Sequence, residues 1–296
     1  MFLSRILKVV GRVAVDLLLA YVAMEVCRLV FLWENHGFFH LTWDSWWLIS
    51  KGGLLFDTSA ILYGNALWLL LVFLPVHVKE RPWWWKMERV VFTVCNSLLV
   101  LANLCDTAFF AFRQQRTTMD IFREFGGEGN LGNIFGAELL SHWYLVLLFI
   151  LMVWGLWAAY RQPVREAVKP PLKRYYISFS ILLGLSVLLF IWGVRGCTLS
   201  AVTRPITIGY AQRFATEPID VGLTLNTPFA MLRTGKSGLE IPEFYSEEEI
   251  AEVYSPIHQG VSDGPLKGYN VVIMVLESFG REFSCFLNPQ FKDYKG

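Results

Sequence analysis

Five stretches of this chain are apolar for long enough to cross a lipid bilayer, which restricts it to folds that place helices in hydrocarbon. A crossing helix needs about 20 mostly apolar residues for a core about 30 Å thick. The stretches fall at about 9–33, 53–77, 90–112, 139–160 and 176–194. Composition agrees: 54% of the 296 residues are hydrophobic and 17% charged, where soluble domains carry about 25% charge. The mean hydropathy is +0.43. The first stretch is too long for a cleaved signal peptide and no small-residue cleavage site follows it, so it reads as a retained anchor. A formal net charge of +1 says little by itself, because local distribution decides orientation, and no nucleic-acid partner is expected.

Lys and Arg set the expected orientation, because cytoplasmic loops carry the excess of both. Arg5 and Lys8 precede the first stretch, Lys79, Arg81, Lys86 and Arg89 separate the second from the third, and Arg161, Arg165, Lys169, Lys173 and Arg174 separate the fourth from the fifth. The opposite loops hold only Lys51, Arg113, Arg116 and Arg123. The amino terminus is therefore expected in the cytoplasm and everything after about residue 195 outside. Trp46-Trp47 and Trp83-Trp84-Trp85 suit interfacial belts on opposite faces.

Asp16, Glu25, Arg28, Asp57 and Asp106 lie in or near the apolar stretches. Ionisable groups are costly in hydrocarbon and are functional candidates by default. Arg28, Asp57 and Asp106 stand toward the outer ends of their stretches, where they can form a polar pocket for a lipid headgroup. Arg113 and Arg116, just beyond the third stretch, can meet a lipid phosphate. The commoner readings are structural: Glu25 and Arg28, three apart, can neutralise each other, long side chains can snorkel, and two arginines in a loop most often form a solvated interfacial face. Cys27, Cys95 and Cys105 are expected as inert core residues, whereas Cys197 and Cys285 would share the outer compartment. His36 and His40 have metal-ligand spacing on a helix, but they sit in an aromatic-rich loop and read as interfacial packing. The glycines at 126–132 match no phosphate loop.

Three parts are expected: a helical membrane domain over 1–194, a connector over 195–267, and the start of a further domain over 268–296. The connector is too apolar for a solvated tether and is expected to form short helices and turns along the membrane surface. Ser246-Glu-Glu-Glu249 is a capping box opening a helix that Pro256 stops. Val271 to Leu276 is an unbroken apolar run of strand length, and a run without alternation suits a parallel strand covered on both faces. Glu277 follows at its carboxyl end, where open α/β sheets place ligands. From the residues alone, Glu277 is as well suited to capping the next helix beside Arg281 as to holding a cation.

Asn270-Val-Val-Ile-Met-Val-Leu-Glu-Ser-Phe279, approached through Phe244-Tyr-Ser-Glu-Glu-Glu249 and Tyr254-Ser-Pro-Ile-His258, resembles the opening of the catalytic domain of lipoteichoic acid synthases. These are membrane-bound phosphoglycerol transferases of the alkaline phosphatase/sulfatase superfamily. The resemblance implies five transmembrane helices, a connector and the first strand of an α/β sulfatase-like domain in a bacterial cell membrane. It also implies that Glu277 binds a divalent cation, Mn2+ before Mg2+ or Zn2+. A membrane phospholipid would be donor and a glycolipid or glycan acceptor. The family's threonine nucleophile and late Asp and His would lie beyond Gly296, so no catalytic nucleophile is expected within this chain, which reads as a fragment without turnover of its own. Phosphoethanolamine transferases, whose motif is usually Gly-Glu-Thr, and sulfatase-like hydrolases are the rivals within the superfamily. A transporter or sensor is the rival outside it, although the stretches show no repeated halves.

Overall fold

The computed structural model describes residues 2–121, 140–161, 171–197 and 205–234, with single positions 249, 254, 272 and 273. Each apolar stretch of the sequence is helical. Helix α1 is Phe2–Glu34, α2 Trp43–Gly64, α3 Ala66–Phe73, α4 Pro82–Arg113, α5 Trp143–Ala159 and α6 Leu172–Val194. Two short helices follow, α7 Asp220–Thr224 and α8 Thr227–Arg233, after a 3-10 segment at Ile208–Phe214. Among the described residues there is no strand. By length and hydropathy α4 and α6 can each cross a membrane, and α2 with α3 makes a third candidate, bent by 60°. Helix α5 is apolar but has 17 residues.

Local chemistry explains where the helices begin and break. Thr42 caps α2, its Oγ1 accepting from the Ser45 amide at 3.2 Å while Ser45 Oγ accepts from the Thr42 amide at 2.8 Å, so two orphan donors are satisfied at once. Pro82 opens α4, where a missing N–H costs nothing. The break between α2 and α3 falls on Asn65. Its Nδ2 donates to the Ile61 carbonyl at 3.0 Å and to Asn96 Oδ1 at 3.0 Å, and Asn96 Nδ2 returns a bond to Asn65 Oδ1 at 2.8 Å. A buried side-chain amide thus finds partners by stepping out of the helix register. The span expected over 53–77 is thus two helices bent by 60° at this break.

The helices alternate in direction. Near their carboxyl ends α1 and α4 share Phe31 against Phe110, ring centroids 4.7 Å apart, and near their amino ends Arg12 meets Glu88 at 2.6 Å, so these two are parallel. Helix α5 runs against α4, with Arg89 Nε reaching the Trp157 carbonyl at 3.0 Å. Helix α6 opposes the α2–α3 pair, Tyr63 stacking edge-on to Phe190 and Tyr175 donating to the Val76 carbonyl at 3.1 Å. Residue 195 therefore leaves the bundle at the end opposite the amino terminus.

Helix α4 is the central element. Glu88, Phe92, Asn96, Leu99, Asn103, Asp106, Thr107 and Phe110 are all buried along it, a stripe with steps of three and four. Outward faces are apolar: Ile177, Ile181, Leu185 and Leu188 of α6 and Ile150 and Trp154 of α5 are exposed, as a lipid-facing surface should be. Trp33, Trp43, Phe112 and Trp143 are exposed at one end of the bundle, and Trp83 and Trp157 at the other, the placement of aromatic belts.

The chain divides into two compact units, 1–238 and 239–296. Residues 205–234 belong to the first, where Leu223, Leu225 and Phe229 are buried. In the second unit Val272 and Ile273 are both 81% exposed and lie in no strand. The remaining positions of the expected strand, most of the helix expected after Ser246, the glycines at 126–132 and Cys285 lie outside the described residues.

Candidate functional site

Five of the ionisable residues singled out in the sequence, Glu25, Arg28, Asp57, Asp106 and Arg116, converge where residues 205–234 meet the ends of α1, α2 and α4. The Arg28 guanidinium pairs with Asp57, donates Nη1 to the carbonyl oxygens of Leu223 at 2.7 Å and Thr224 at 3.2 Å, and reaches Glu25 through Nε at 3.2 Å. Asp57 Oδ1 accepts from Asn226 Nδ2 at 2.8 Å, and Asn226 Oδ1 caps α8 by accepting from the Phe229 amide at 2.8 Å. The approach depends on Gly52 and Gly53 of α2. A Cβ on Gly53 would strike the Arg28 guanidinium, and one on Gly52 would stand 2.6 Å from Phe214 and 2.7 Å from Thr224.

A second clamp lies alongside. Asp106 Oδ2 accepts from Thr227 Oγ1 at 2.7 Å and Arg116 Nη1 at 3.2 Å, while its Oδ1 accepts from the amide and hydroxyl of Thr117. Arg116 Nε donates to the Gly222 carbonyl at 2.6 Å, and its guanidinium lies 3.6 Å from the Phe31 ring centroid, a cation–π contact. Asn103 Oδ1 takes the Thr227 amide at 3.1 Å. Arg116 is only 7% exposed, so the expectation of a solvated interfacial arginine is corrected: a carboxylate two helix turns inside α4 draws it in. Burial pushes its guanidinium below the usual arginine range, and Asp106 offsets part of that. Arg113, at the end of α4, is exposed.

The other end of the bundle holds a cluster of which reading the sequence picked out only Asp16. Arg12 Nη2 donates to Glu88 at 2.6 Å and to the Tyr160 hydroxyl at 3.3 Å, Asp16 stands 3.7 Å from Arg12 Nε, and Trp84 and Trp68 donate to Glu88 and Tyr160 at 3.1 and 3.2 Å. Lys79 is buried too, over the Phe179 ring at 2.9 Å. For Glu88, its recurrence with Asn96, Asn103 and Thr107 at helical spacing was the available signal. Of the cysteines expected in the core, Cys27 is buried, Cys95 half-buried and Cys105 exposed. His36 bonds the Trp33 carbonyl at 2.9 Å and His40 is exposed.

Between the turn after α4 and the 205–234 segment lies an open cleft of about 480 Å³. Gln114, Gln115, Thr118, Gln212, Thr216 and Glu217 supply its polar lining, with Arg116 and Gly222 among its other walls. Gln114 ends α4 in the left-handed conformation, φ 53°. Thr216 and Glu217 are held by their amides, which donate to Asp220 at 3.2 and 2.9 Å.

Glu277 lies outside the described residues. Among the described residues no three His, Cys, Asp or Glu side chains gather as a metal site. No family model, curated protein or solved structure matches the chain.

Proposed function

We propose that this chain is the membrane anchor and opening segment of a metal-dependent phospho-headgroup transferase resembling the lipoteichoic acid synthases. It would move a phosphoglycerol-type group from an outer-leaflet phospholipid to a hydroxylated acceptor. The observation that carries the reading is Leu276-Glu277-Ser278 closing an apolar run behind five apolar stretches and a connector. All five helical stretches are taken as crossings, with the amino terminus cytoplasmic and residues after 195 outside. The alternating helix directions, the two aromatic belts and the apolar outer faces support that arrangement.

Glu277 is the one group of this chain assigned to the chemistry. Its carboxylate suits a hard divalent cation, Mn2+ or Mg2+, and such a cation, when bound, supplies Lewis-acid stabilisation at a phosphoryl oxygen. In the longer protein a threonine oxygen would attack the donor's phosphorus, the bond from phosphorus to the diacylglycerol oxygen would break, and diacylglycerol would leave with the proton. An acceptor hydroxyl would then displace the threonine. What the described residues contribute is mounting: Arg28 and Arg116 fasten 222–227 to the bundle, so the chain leaves the helices from a fixed point.

The test uses the longer protein in vesicles containing headgroup-labelled phosphatidylglycerol or phosphatidylethanolamine. Expected are label transfer from phosphatidylglycerol, loss with a chelator, and a fall of about a hundredfold or more in Glu277→Ala. Transfer from neither lipid overturns the proposal. Transfer from phosphatidylethanolamine alone moves it to the neighbouring family.

A further inference from the structure

We infer that the cleft between residues 114–118 and 208–230 binds a neutral polyhydroxylated group, a sugar headgroup, and not an anionic one. Its polar lining is chiefly amide and hydroxyl: Gln114, Gln115, Gln212, Thr118 and Thr216. Each of these side chains both donates and accepts, the complement of a hydroxyl group that does the same. The lining has one cation, Arg116, and one acid, Glu217. Arg116 is already balanced by Asp106 at 3.2 Å, and its Nε and Nη1 are committed to Gly222, Asp106 and Thr227. An incoming phosphate would therefore face Glu217 and a single remaining guanidinium donor, Arg116 Nη2, whose charge Asp106 already balances, whereas Glu217 is a good acceptor for a sugar hydroxyl.

The remaining walls suit the same ligand. Ile208, Pro218, Val221 and Leu225 give an apolar surface for the C–H face of a ring, and about 480 Å³ lies within the usual range, about 300–1,000 Å³, of small-molecule sites. The cleft is also preformed. Gln114 is fixed by its helix-ending turn, Thr216 and Glu217 by Asp220, and the opposite wall by the Arg116 clamp. It lies at the bundle end where Trp33, Trp43, Phe112 and Trp143 are exposed, the level of headgroups. On the transferase reading this would be where a glycolipid acceptor rests, and that role alone depends on the reading.

The experiment measures binding and not turnover, with the full chain in a detergent lacking a sugar headgroup. Hydrogen exchange of 114–118 and 212–218 is followed during titration with maltose and, separately, glycerol phosphate. Expected are protection by maltose, none by glycerol phosphate, and weakening of maltose binding by about tenfold in Q115A/Q212A, a loss of roughly two hydrogen bonds. Both glutamines are exposed, and the variant's unfolding temperature should match the parent's. A second arm compares nanodiscs with and without a neutral diglycosyl lipid. Protection only in the lipid arm makes the ligand a lipid headgroup, and protection by free maltose alone makes it a soluble sugar. No protection by either sugar source, stronger protection by glycerol phosphate, or unchanged affinity in the folded double variant overturns the inference. Sugar binding without phosphoglycerol transfer leaves the cleft standing and removes the transferase.

Discussion

At the residue scale, the pairs that hold the connector differ sharply in burial, and their substitutions should differ accordingly. Asp106→Ala leaves Arg116 charged and buried without its only carboxylate, one of its three hydrogen-bond partners. Breaking such a pair costs about 3–5 kcal/mol, read as a lower midpoint of denaturant unfolding in detergent. Glu25→Gln removes a partner that is 47% exposed and should cost no more than about 1 kcal/mol. Equal losses for the two would mean that Arg116 is solvated after all. Gly53→Val drives a side chain into the Arg28 guanidinium and should cost about 1–3 kcal/mol. Burial raises the Cys197 thiol above its usual range, so less thiolate is present at neutral pH. Its alkylation, followed by mass spectrometry, should be slower than that of an exposed cysteine and should accelerate as pH climbs toward the raised value. Arg28, Asp57 and Asp106 could be picked out in the sequence because charge is rare in apolar stretches. Their partners could not, since carbonyl oxygens of residues 222–224 carry no mark in a sequence and Arg116 looks like any loop cation.

At the element scale, α4 organises the bundle through a polar seam as much as an apolar one. The Asn65–Asn96 amide pair makes this testable. Asn65→Leu strands Asn96 in a dry contact and should cost about 1–3 kcal/mol, while Asn65→Leu with Asn96→Leu should recover part of it, since replacing both partners removes the unmet demand. A double-mutant cycle on unfolding free energy checks the sign, and additive losses would mean that the amides do not act together. The apolar stretches announced all five helical regions because length and hydropathy are local properties. The break at Asn65 was hidden because its cause is a residue on another helix. The helix of 82–113 extends beyond the stretch read at 90–112 because a proline start and buried Trp84 and Glu88 serve packing that hydropathy does not register. The short helices of the connector were foreseen, but their burial was not: Phe229 meets Phe56 at 4.9 Å between ring centroids, a contact set by the fold and not by neighbours in sequence.

At the scale of the whole molecule, the bundle carries its amino terminus and residue 195 at opposite ends. If all five helical stretches cross, a tag before Phe2 should be protected in intact cells and one within 235–238 should be cleaved by added protease. The reverse pattern, or equal protection, would refute the five-crossing topology. The Arg28 and Arg116 clamps also bear on how such a chain is made. Their helices are synthesised early, yet the carbonyl oxygens of 222–224 and the Thr227 hydroxyl emerge from the ribosome some hundred residues later than Arg116. Until then the two guanidinium groups at the bundle's end have their carboxylates and, for Arg116, the Phe31 ring, but none of these late partners. Insertion can precede closure, and a nascent chain halted before residue 220 should remain a loose substrate for membrane quality-control proteases, becoming resistant only when that late segment docks.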